Sequence, residues 1–452
     1  MLRLEPRYLE RLDPSKDRMR RMFETLGARP ETLGQLRGGS VIVSVPDGVT
    51  AARRLAAAQL VDLLVRLQPV VGAVYIDARE PRAIAGDLER RFPLETSDET
   101  TAEGVVVAIA VGAKTESCDI LIDGAGWCLS IGEVCAADDD GNPIGPMAIG
   151  AVGAAEAFKV LFGTAHPGEP LVGRFMPHTG PFSLWDRLAS WTSPALPPVH
   201  LDAILVGVGG VGAGIVTTLG ALGERLDGRL VLVDDDPLDI YNFNRVTYAR
   251  VEEAEREVLK VESARDYLST RVHLDVEVVP EQYRSFTRRI RSRIDRRYPL
   301  VMMGVDQDAI RWEVQRDLPK VLIDGATGNQ GNCRIDTVQF GEAGCIGCSR
   351  PPRPRPAEPA ECDAPPALHA PSISFLSAFA GTVVAGEAIR VATTGWRGPR
   401  YLEHTFAYPL NPDLAGVAGF HAGCPVDCRN PMVLRAYRSK WGFGEQETSS
   451  VA

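Results

Sequence analysis

The chain lacks an excess of basic residues. Its 49 Lys and Arg are outnumbered by 59 Asp and Glu, for a formal net charge of −10, whereas a nucleic-acid-binding surface shows a basic balance. Nucleic acid is therefore not an expected partner. Missing too is an apolar leader, since Met1-Leu2-Arg3-Leu4-Glu5-Pro6-Arg7 is charged, unlike a secretory signal. The apolar stretch from Ile373 to Gly386 is shorter than the roughly 20 residues that cross a bilayer. A cytoplasmic chain with no membrane partner is the expectation. Cysteines are few and odd in number, nine in 452 residues, which favours metal binding or catalysis in a reducing compartment over a disulfide framework. That length accommodates two or three domains, each with its own core.

What the sequence does have is concentrated between residues 204 and 245. Ile204 to Val206 reads as a buried strand, followed by Gly207-Val208-Gly209-Gly210-Val211-Gly212. Such glycines let backbone N–H groups approach a phosphate. Apolar residues at 215, 216, 219 and 222 mark one face of a helix over 212–222 whose N-terminus favours that anion. Leu230 to Val233 reads as a second buried strand, and Asp234 at its tip can accept ribose hydroxyls. A dinucleotide enzyme would need a second ribose site; here Asn242, Arg245 and Lys260 follow instead. An amide and two cations suit a triphosphate, which concentrates more negative charge than a pyrophosphate bridge.

Together, the Gly-x-Gly-Gly-x-Gly loop at 207–212, Asp234-x-Asp236, Asn242-x-x-Arg245 and Lys260-Val261-Glu262-Ser263-Ala264 resemble the superfamily of ubiquitin-like-protein-activating enzymes. That superfamily includes the ThiF- and MoeB-type adenylyltransferases of thiamine and molybdopterin synthesis, and the resemblance spans roughly residues 200 to 430. It implies an α/β, Rossmann-like adenylation domain that uses ATP and Mg²⁺. By the same resemblance Gly207, Gly209, Gly210 and Gly212 cradle phosphates, Asp234 and Asp236 belong to the nucleotide site with Asp234 on the ribose, and Asn242, Arg245 and Lys260 neutralise phosphate charge. Asp306, at the end of the expected strand Leu300 to Asp306, is the implied Mg²⁺ ligand. From the residues alone, Asp306 or Asp308 also reads as the N-cap of a helix beginning at Ala309.

The first half reads as a worn copy of the second. Residues 1 to 40 are expected to be helical, Val41 to Val45 a strand, Thr50 to Leu67 a long helix and Val71 to Asp77 a second strand, so that Asp77 stands where Asp234 stands. Ile120-Leu121-Ile122-Asp123-Gly124-Ala125 echoes Val321-Leu322-Ile323-Asp324-Gly325-Ala326, and Glu156-Ala157-Phe158-Lys159 echoes Glu387-Ala388-Ile389-Arg390. Three echoes in one order indicate a duplication. Pro46 and Asp47 occupy the place of the glycine loop, where one removes a phosphate-facing N–H and the other repels the anion. The expected organisation is an inactive domain at 1–165, a Pro-rich linker at 166–199 and an active domain at 200–452, the two domains forming a pseudodimer. The linker's Phe182-Ser183-Leu184-Trp185 is expected to be an anchor packed on a domain surface, with no chemistry of its own.

In the resembled superfamily an arginine near the start of one domain reaches the nucleotide of the other, which singles out Arg21, with Arg20 and Arg18 beside it. A solvated basic helix face explains the same cluster. Cys345-x-x-Cys348 and Cys424-x-x-x-Cys428 have spacings that fold thiolates around a structural Zn²⁺. Between them, residues 349–371 contain eight prolines and are expected to form a mobile loop. Cys362 lies in that loop, where the resemblance places the cysteine that takes over the activated carboxylate. Its neighbours Glu361 and Asp363 raise rather than lower a thiol pKa, which leaves Arg350, Arg353 and Arg355 as candidates for activating it.

The resemblance thus implies activation of the C-terminal glycine of a ubiquitin-like protein, a thioester on Cys362 and transfer to a conjugating enzyme. The fused inactive domain resembles the two-domain enzymes of bacterial ubiquitin-like operons linked to phage defence. A homodimer is also allowed. Two alternatives stay open at this point: adenylation of a sulfur-carrier protein or peptide, and a non-catalytic nucleotide-sensing scaffold.

Overall fold

A computed structural model describes residues 1–4, 39–67, 70–86, 88–91, 94–96, 105–136, 141–168, 172, 177–188, 190–285, 298–328, 331–351, 373–405 and 419–443. In the first half, β1 (Leu2–Leu4), β2 (Gly39–Ser44), β3 (Val71–Asp77), β4 (Leu94–Thr96), β5 (Val106–Val111), β6 (Ile120–Ala125), β7 (Cys128–Ile131) and β8 (Gly180–Ser183) form one sheet in the order β4-β1-β3-β2-β5-β6-β7-β8. The second half builds another from β9 (Val199–Val206), β10 (Leu226–Val233), β11 (His273–Val279), β12 (Leu300–Met303), β13 (Val321–Thr327), β14 (Asn332–Val338) and β15 (Arg400–Thr405), in the order β11-β10-β9-β12-β13-β14-β15.

The two sheets share a plan. With β2 placed on β9, the parallel run β3-β2-β5-β6 matches β10-β9-β12-β13. The antiparallel run β6-β7-β8 likewise matches β13-β14-β15. The helices correspond too: α1 (Ala51–Val65) follows the first central strand as α3 (Gly210–Gly220) does, and α2 (Ile144–Ala165) corresponds to α6 (Ser374–Thr394), while α4 (Lys260–Ser269), α5 (Asp308–Arg316) and α7 (Pro431–Trp441) belong to the second half. Both halves are therefore Rossmann-like, each sheet built around a parallel run of strands.

Three expectations change. Leu2–Leu4 is a strand pairing antiparallel with β3 and β4 rather than part of a helix, because alternate residues of so short a segment can join a sheet edge without helical periodicity. The segment expected to be only linker contributes β8, which pairs antiparallel with β7 and buries Phe182 and Ser183, with Leu184 buried just beyond it. And α6 runs for 21 residues, long enough to cross a bilayer, as is the 22-residue α2. Length thus does not exclude a span, but the most apolar windows of α2 and α6 are 94% and 89% buried within the protein. A helix apolar all round needs cover on every side. Here α2 and α6 cover each other, with Phe158 and Phe375 ring centroids 5.7 Å apart, and one core cluster runs through both halves.

The echoed acidic residues are buried charge centres. Glu387 on α6 is held by Arg390 at 2.8 Å, by Arg187 at 3.0 Å and by Arg400 at 3.2 Å. Arg187 lies just beyond β8 and beyond the expected anchor at 182–185, and its ion pair with Glu387 ties the connecting segment to the second half. Burial alone would raise the Glu387 carboxyl, yet the guanidiniums of Arg187, Arg400 and Arg390 hold it down to about 2. A depressed folded-state value means that the carboxylate stabilises the fold above its unfolded value, and that this stability is lost as pH falls through about 4.5 to about 2. The shift corresponds to about 3 kcal/mol. Denaturant unfolding between pH 5 and pH 2.5 is expected to show a steeper loss in the wild type than in Glu387→Gln. The variant should be less stable at pH 7 by about 3–5 kcal/mol, the usual cost of breaking a buried charge cluster.

Candidate nucleotide site

The glycine loop joins β9 to α3 at the C-terminal edge of the parallel strands, where open α/β sheets collect their ligands. Gly207 sits at φ +83°, a conformation that favours glycine, and its N–H donates to the Val233 carbonyl at 2.9 Å. A Cβ at Gly212 would lie 2.2 Å from the Gly207 carbonyl oxygen, and one at Gly304 would lie 2.7 Å from the Gly212 nitrogen. The loop is thus pressed onto the turn after β12 by backbone contact. Gly209 differs: it is the N-cap of the eleven-residue α3, no side chain caps that end, and a Cβ there would meet nothing within 4 Å. A helix N-terminus with uncapped N–H groups beside open space is suited to phosphate.

Asp234 closes the loop. Its carboxylate accepts from Val208 N–H at 2.7 Å and from Asp236 N–H at 3.0 Å, and burial raises its pKa. Lys260, at the start of α4, is buried, and its Nζ donates to the exposed Asp236 carboxylate at 2.5 Å. Its backbone N–H also donates to the Asp236 carbonyl, at 3.0 Å. Tyr248, which sequence reasoning missed, donates its hydroxyl to the Val208 carbonyl at 2.9 Å and lies 3.3 Å from the Lys260 carbonyl. Burial pushes that phenol's pKa well up, so it stays a donor. A tyrosine carries no motif signal of its own; only the fold shows that it ties the loop to α4. The carboxylates of Asp234, Asp235 and Asp236 lie within 4.8 Å of one another.

Asn242 and Arg245 follow on a short 3-10 turn. The Asn242 side chain accepts from Asp239 N–H at 3.3 Å, completing a capping box, while its carbonyl accepts from the N–H groups of Arg245 at 3.0 Å and Val246 at 2.8 Å. The buried Arg245 donates to the Tyr241 carbonyl at 3.0 Å and to the Asn244 side chain at 2.8 Å. β12 ends at Met303, so Asp306 does not terminate the strand but stands exposed three residues beyond it. The Gly304 turn, which packs on Gly212, accounts for the shorter strand. Neither Asp306 nor Asp308 is the helix cap: Gln307 holds that place, and Asp308, within the first turn of α5, pairs with Arg311 at 2.9 Å. Arg311 reaches on to the wholly buried Asp324 at 2.9 Å, and Arg350 binds the same carboxylate at 3.0 Å. Arg350 thus stands in an ion pair with the buried Asp324.

The equivalent place in the first half is built differently. When the starts of α1 and α3 are matched, Arg53 falls on Gly212, and Gly112 follows β5 as Gly304 follows β12. Arg53 donates to the buried Asp123 at 3.0 and 2.9 Å. A Cβ at Gly112 would lie 2.3 Å from the Arg53 side chain. Pro46 and Asp47 are therefore only part of the difference between the copies: the helix end that Gly209 leaves uncapped is capped in the first half by Thr50, whose hydroxyl accepts from Arg53 N–H at 3.4 Å.

At the far end of the second half, Cys345, Cys348, Cys424 and Cys428 converge, with all four sulfurs within 4.8 Å of one another. Individual Sγ separations are 3.4 Å for Cys345–Cys424 and Cys348–Cys428, 3.8 Å for Cys424–Cys428 and 4.0 Å for Cys345–Cys348. Thiolates about 2.3 Å from a tetrahedral ion stand about 3.8 Å apart, so the donor set and spacing fit a closed metal site. Cys362, Arg353, Arg355 and the Arg18, Arg20 and Arg21 cluster lie outside the described residues.

A Rossmann-like domain with a glycine loop, a strand-tip carboxylate and a buried lysine defines a nucleotide-binding α/β protein. Residues 199–414 match the model of the ThiF family. "Ubiquitin-like modifier-activating enzyme 5" of Caenorhabditis elegans is 30% identical over 161 residues, 32% of this chain and 37% of that protein. The chain therefore spans little more than a third of that relative. Over residues 199–414 it carries a ThiF-family domain. Among solved structures, E. coli MccB with MccA-N7isoASN is 13% identical, with 51% of this chain and 67% of that one covered at a TM-score of 0.38. MccB with ATP is 12% identical, with 69% and 98% covered at 0.36.

Gly209→Ala separates binding from folding, since the added methyl meets no protein atom but enters the space in front of the helix. Its unfolding midpoint is expected to match the wild type while ATP affinity, by calorimetric titration, falls about tenfold, or about 1.4 kcal/mol. Unchanged affinity would exclude the loop as the phosphate site.

Proposed function

We propose that this chain adenylates the C-terminal carboxylate of a ubiquitin-like protein and then accepts it as a thioester on Cys362. The observation that carries the adenylation step is the buried Lys260, fixed beside the open N-terminus of α3 by Asp236. The name of the nematode relative supports a ubiquitin-like protein as the substrate. In this reading Gly207, Gly209, Gly210 and Gly212 present N–H groups to the phosphates of ATP, and Asp234 accepts from the ribose. Lys260 exchanges its contact with Asp236 for the phosphate oxygens. Asn242 and Arg245 hold the phosphates at the other side, and Asp306 supplies a carboxylate for Mg²⁺, which neutralises phosphate charge when bound.

A substrate carboxylate oxygen attacks the α-phosphorus and pyrophosphate leaves with the broken bond's electron pair. Positioning and charge stabilisation do most of this work. The Cys362 thiolate then attacks the acyl carbon, and AMP departs with the electrons of the C–O bond. A conjugating enzyme takes over the acyl group by thiol exchange. Zn²⁺ in the four-cysteine cluster clamps the end of the domain and takes no part in the chemistry. Arg21 reaches the nucleotide.

The test supplies Mg-ATP and a ubiquitin-like protein ending in glycine, then follows pyrophosphate release and intact mass without reductant. Pyrophosphate release and a thiol-labile adduct, the adduct lost in Cys362→Ala, is the expected result. Release with no adduct moves the reading to a sulfur-carrier or peptide adenylyltransferase, and neither signal with intact ATP binding favours a sensor. Lys260→Ala is expected to lower the turnover of pyrophosphate exchange about 10²–10³-fold, the scale of a lost charge-stabilising donor. Elemental analysis is expected to find one zinc per chain, and its absence from protein purified without chelators would remove the metal from the account.

A further inference from the structure

The first half grips the segment of the second that carries Asn242 and Arg245. Arg66, the C-cap of α1, has a side chain with no solvent exposure, and its Nε donates to Asp62 at 2.7 Å. Arg91 donates to the other oxygen of the same carboxylate at 3.2 Å. Both guanidiniums then cross to the second half. Arg66 Nη1 donates to the Phe243 carbonyl and its Nη2 lies 3.5 Å from the Thr247 carbonyl, to which Arg91 Nη1 also donates.

The gripped carbonyls bracket Arg245. At one end the backbone continues from Asn242, whose carbonyl accepts from Arg245 and Val246. At the other it continues into Tyr248, whose hydroxyl reaches the glycine loop at Val208. The segment lies outside the described strands, and a buried carbonyl needs a donor. Burying two guanidiniums and a carboxylate costs desolvation that apolar packing would avoid, so this cluster contributes a fixed geometry more than adhesion.

We propose that Asp62, Arg66 and Arg91 are positioning residues for the nucleotide site of the other half, holding residues 242–248 in the conformation in which Asn242 and Arg245 meet the phosphates. The first half then acts in the reaction through its neighbour's backbone. The inference rests on the nucleotide reading above.

Arg91 is the member of the cluster with the most exposed side chain, so Arg91→Ala is the variant to make, with Arg91→Lys as the conservative partner. In nucleotide-free protein, amide hydrogen exchange of Arg245 and Val246 is expected to quicken at least tenfold in Arg91→Ala. The ATP dissociation constant should rise about tenfold. In pyrophosphate exchange, the KM for ATP should rise more than kcat falls. Arg91→Lys is expected to recover most of each change, because an ammonium can still donate to the Thr247 carbonyl. Unchanged exchange at residues 242–248 overturns the proposal, and so does acceleration spread evenly over the second half, which marks a merely structural contact. Wild-type protein that binds no ATP would overturn the nucleotide reading instead, while the exchange comparison still decides the grip.

Discussion

Two long helices with almost no face left for water set the terms for the rest of the structure. α2 and α6 are each buried on nearly every side, and a helix of that kind is stable only when other protein covers it. Each therefore needs the other as well as its own sheet. One core cluster consequently runs through both halves. The connecting segment is drawn into the same arrangement, with β8 completing the first sheet and Arg187 reaching Glu387 of α6.

This pairing lets two copies of one plan diverge. In the second half, glycines at 207, 212 and 304 press the loop onto the strand edge and leave space in front of Gly209. In the first half, a charged side chain takes the matching position and saturates a buried aspartate. Arg66 and Arg91 of that copy, held by Asp62, grasp the carbonyls of Phe243 and Thr247 on either side of Arg245. Backbone carbonyls are good handles for this purpose, since they fix main-chain position whatever side chains the segment carries.

Charge is placed economically in both halves. The echoed buried acids Asp123, Asp324, Glu156 and Glu387 all have cationic partners, as low-dielectric burial demands. Lys260 is the exception in kind. Its partner Asp236 is largely exposed, so that contact can be exchanged for a phosphate at little desolvation cost, which suits a group that must bind and release a charged ligand.

The sequence alone determined the strand–loop–helix unit around Gly207 to Gly212, the strand Val71–Asp77, the echo of residues 120–125 in 321–326, and the pairing of the two cysteine motifs. Each of these rests on local periodicity or fixed spacing, which a linear chain displays directly. The strand at Leu2–Leu4, the joining of Gly180–Ser183 to the first sheet, and the end of β12 at Met303 were settled by neighbours distant in sequence. So were the ion pair of Arg53 with Asp123, the tether from Tyr248 to Val208 and the capture of Arg350 by Asp324. Ion pairs, edge-strand additions and contacts to backbone carbonyls leave no periodic mark, because their partners lie tens to hundreds of residues away and are chosen only when the sheets and the two apolar helices come together.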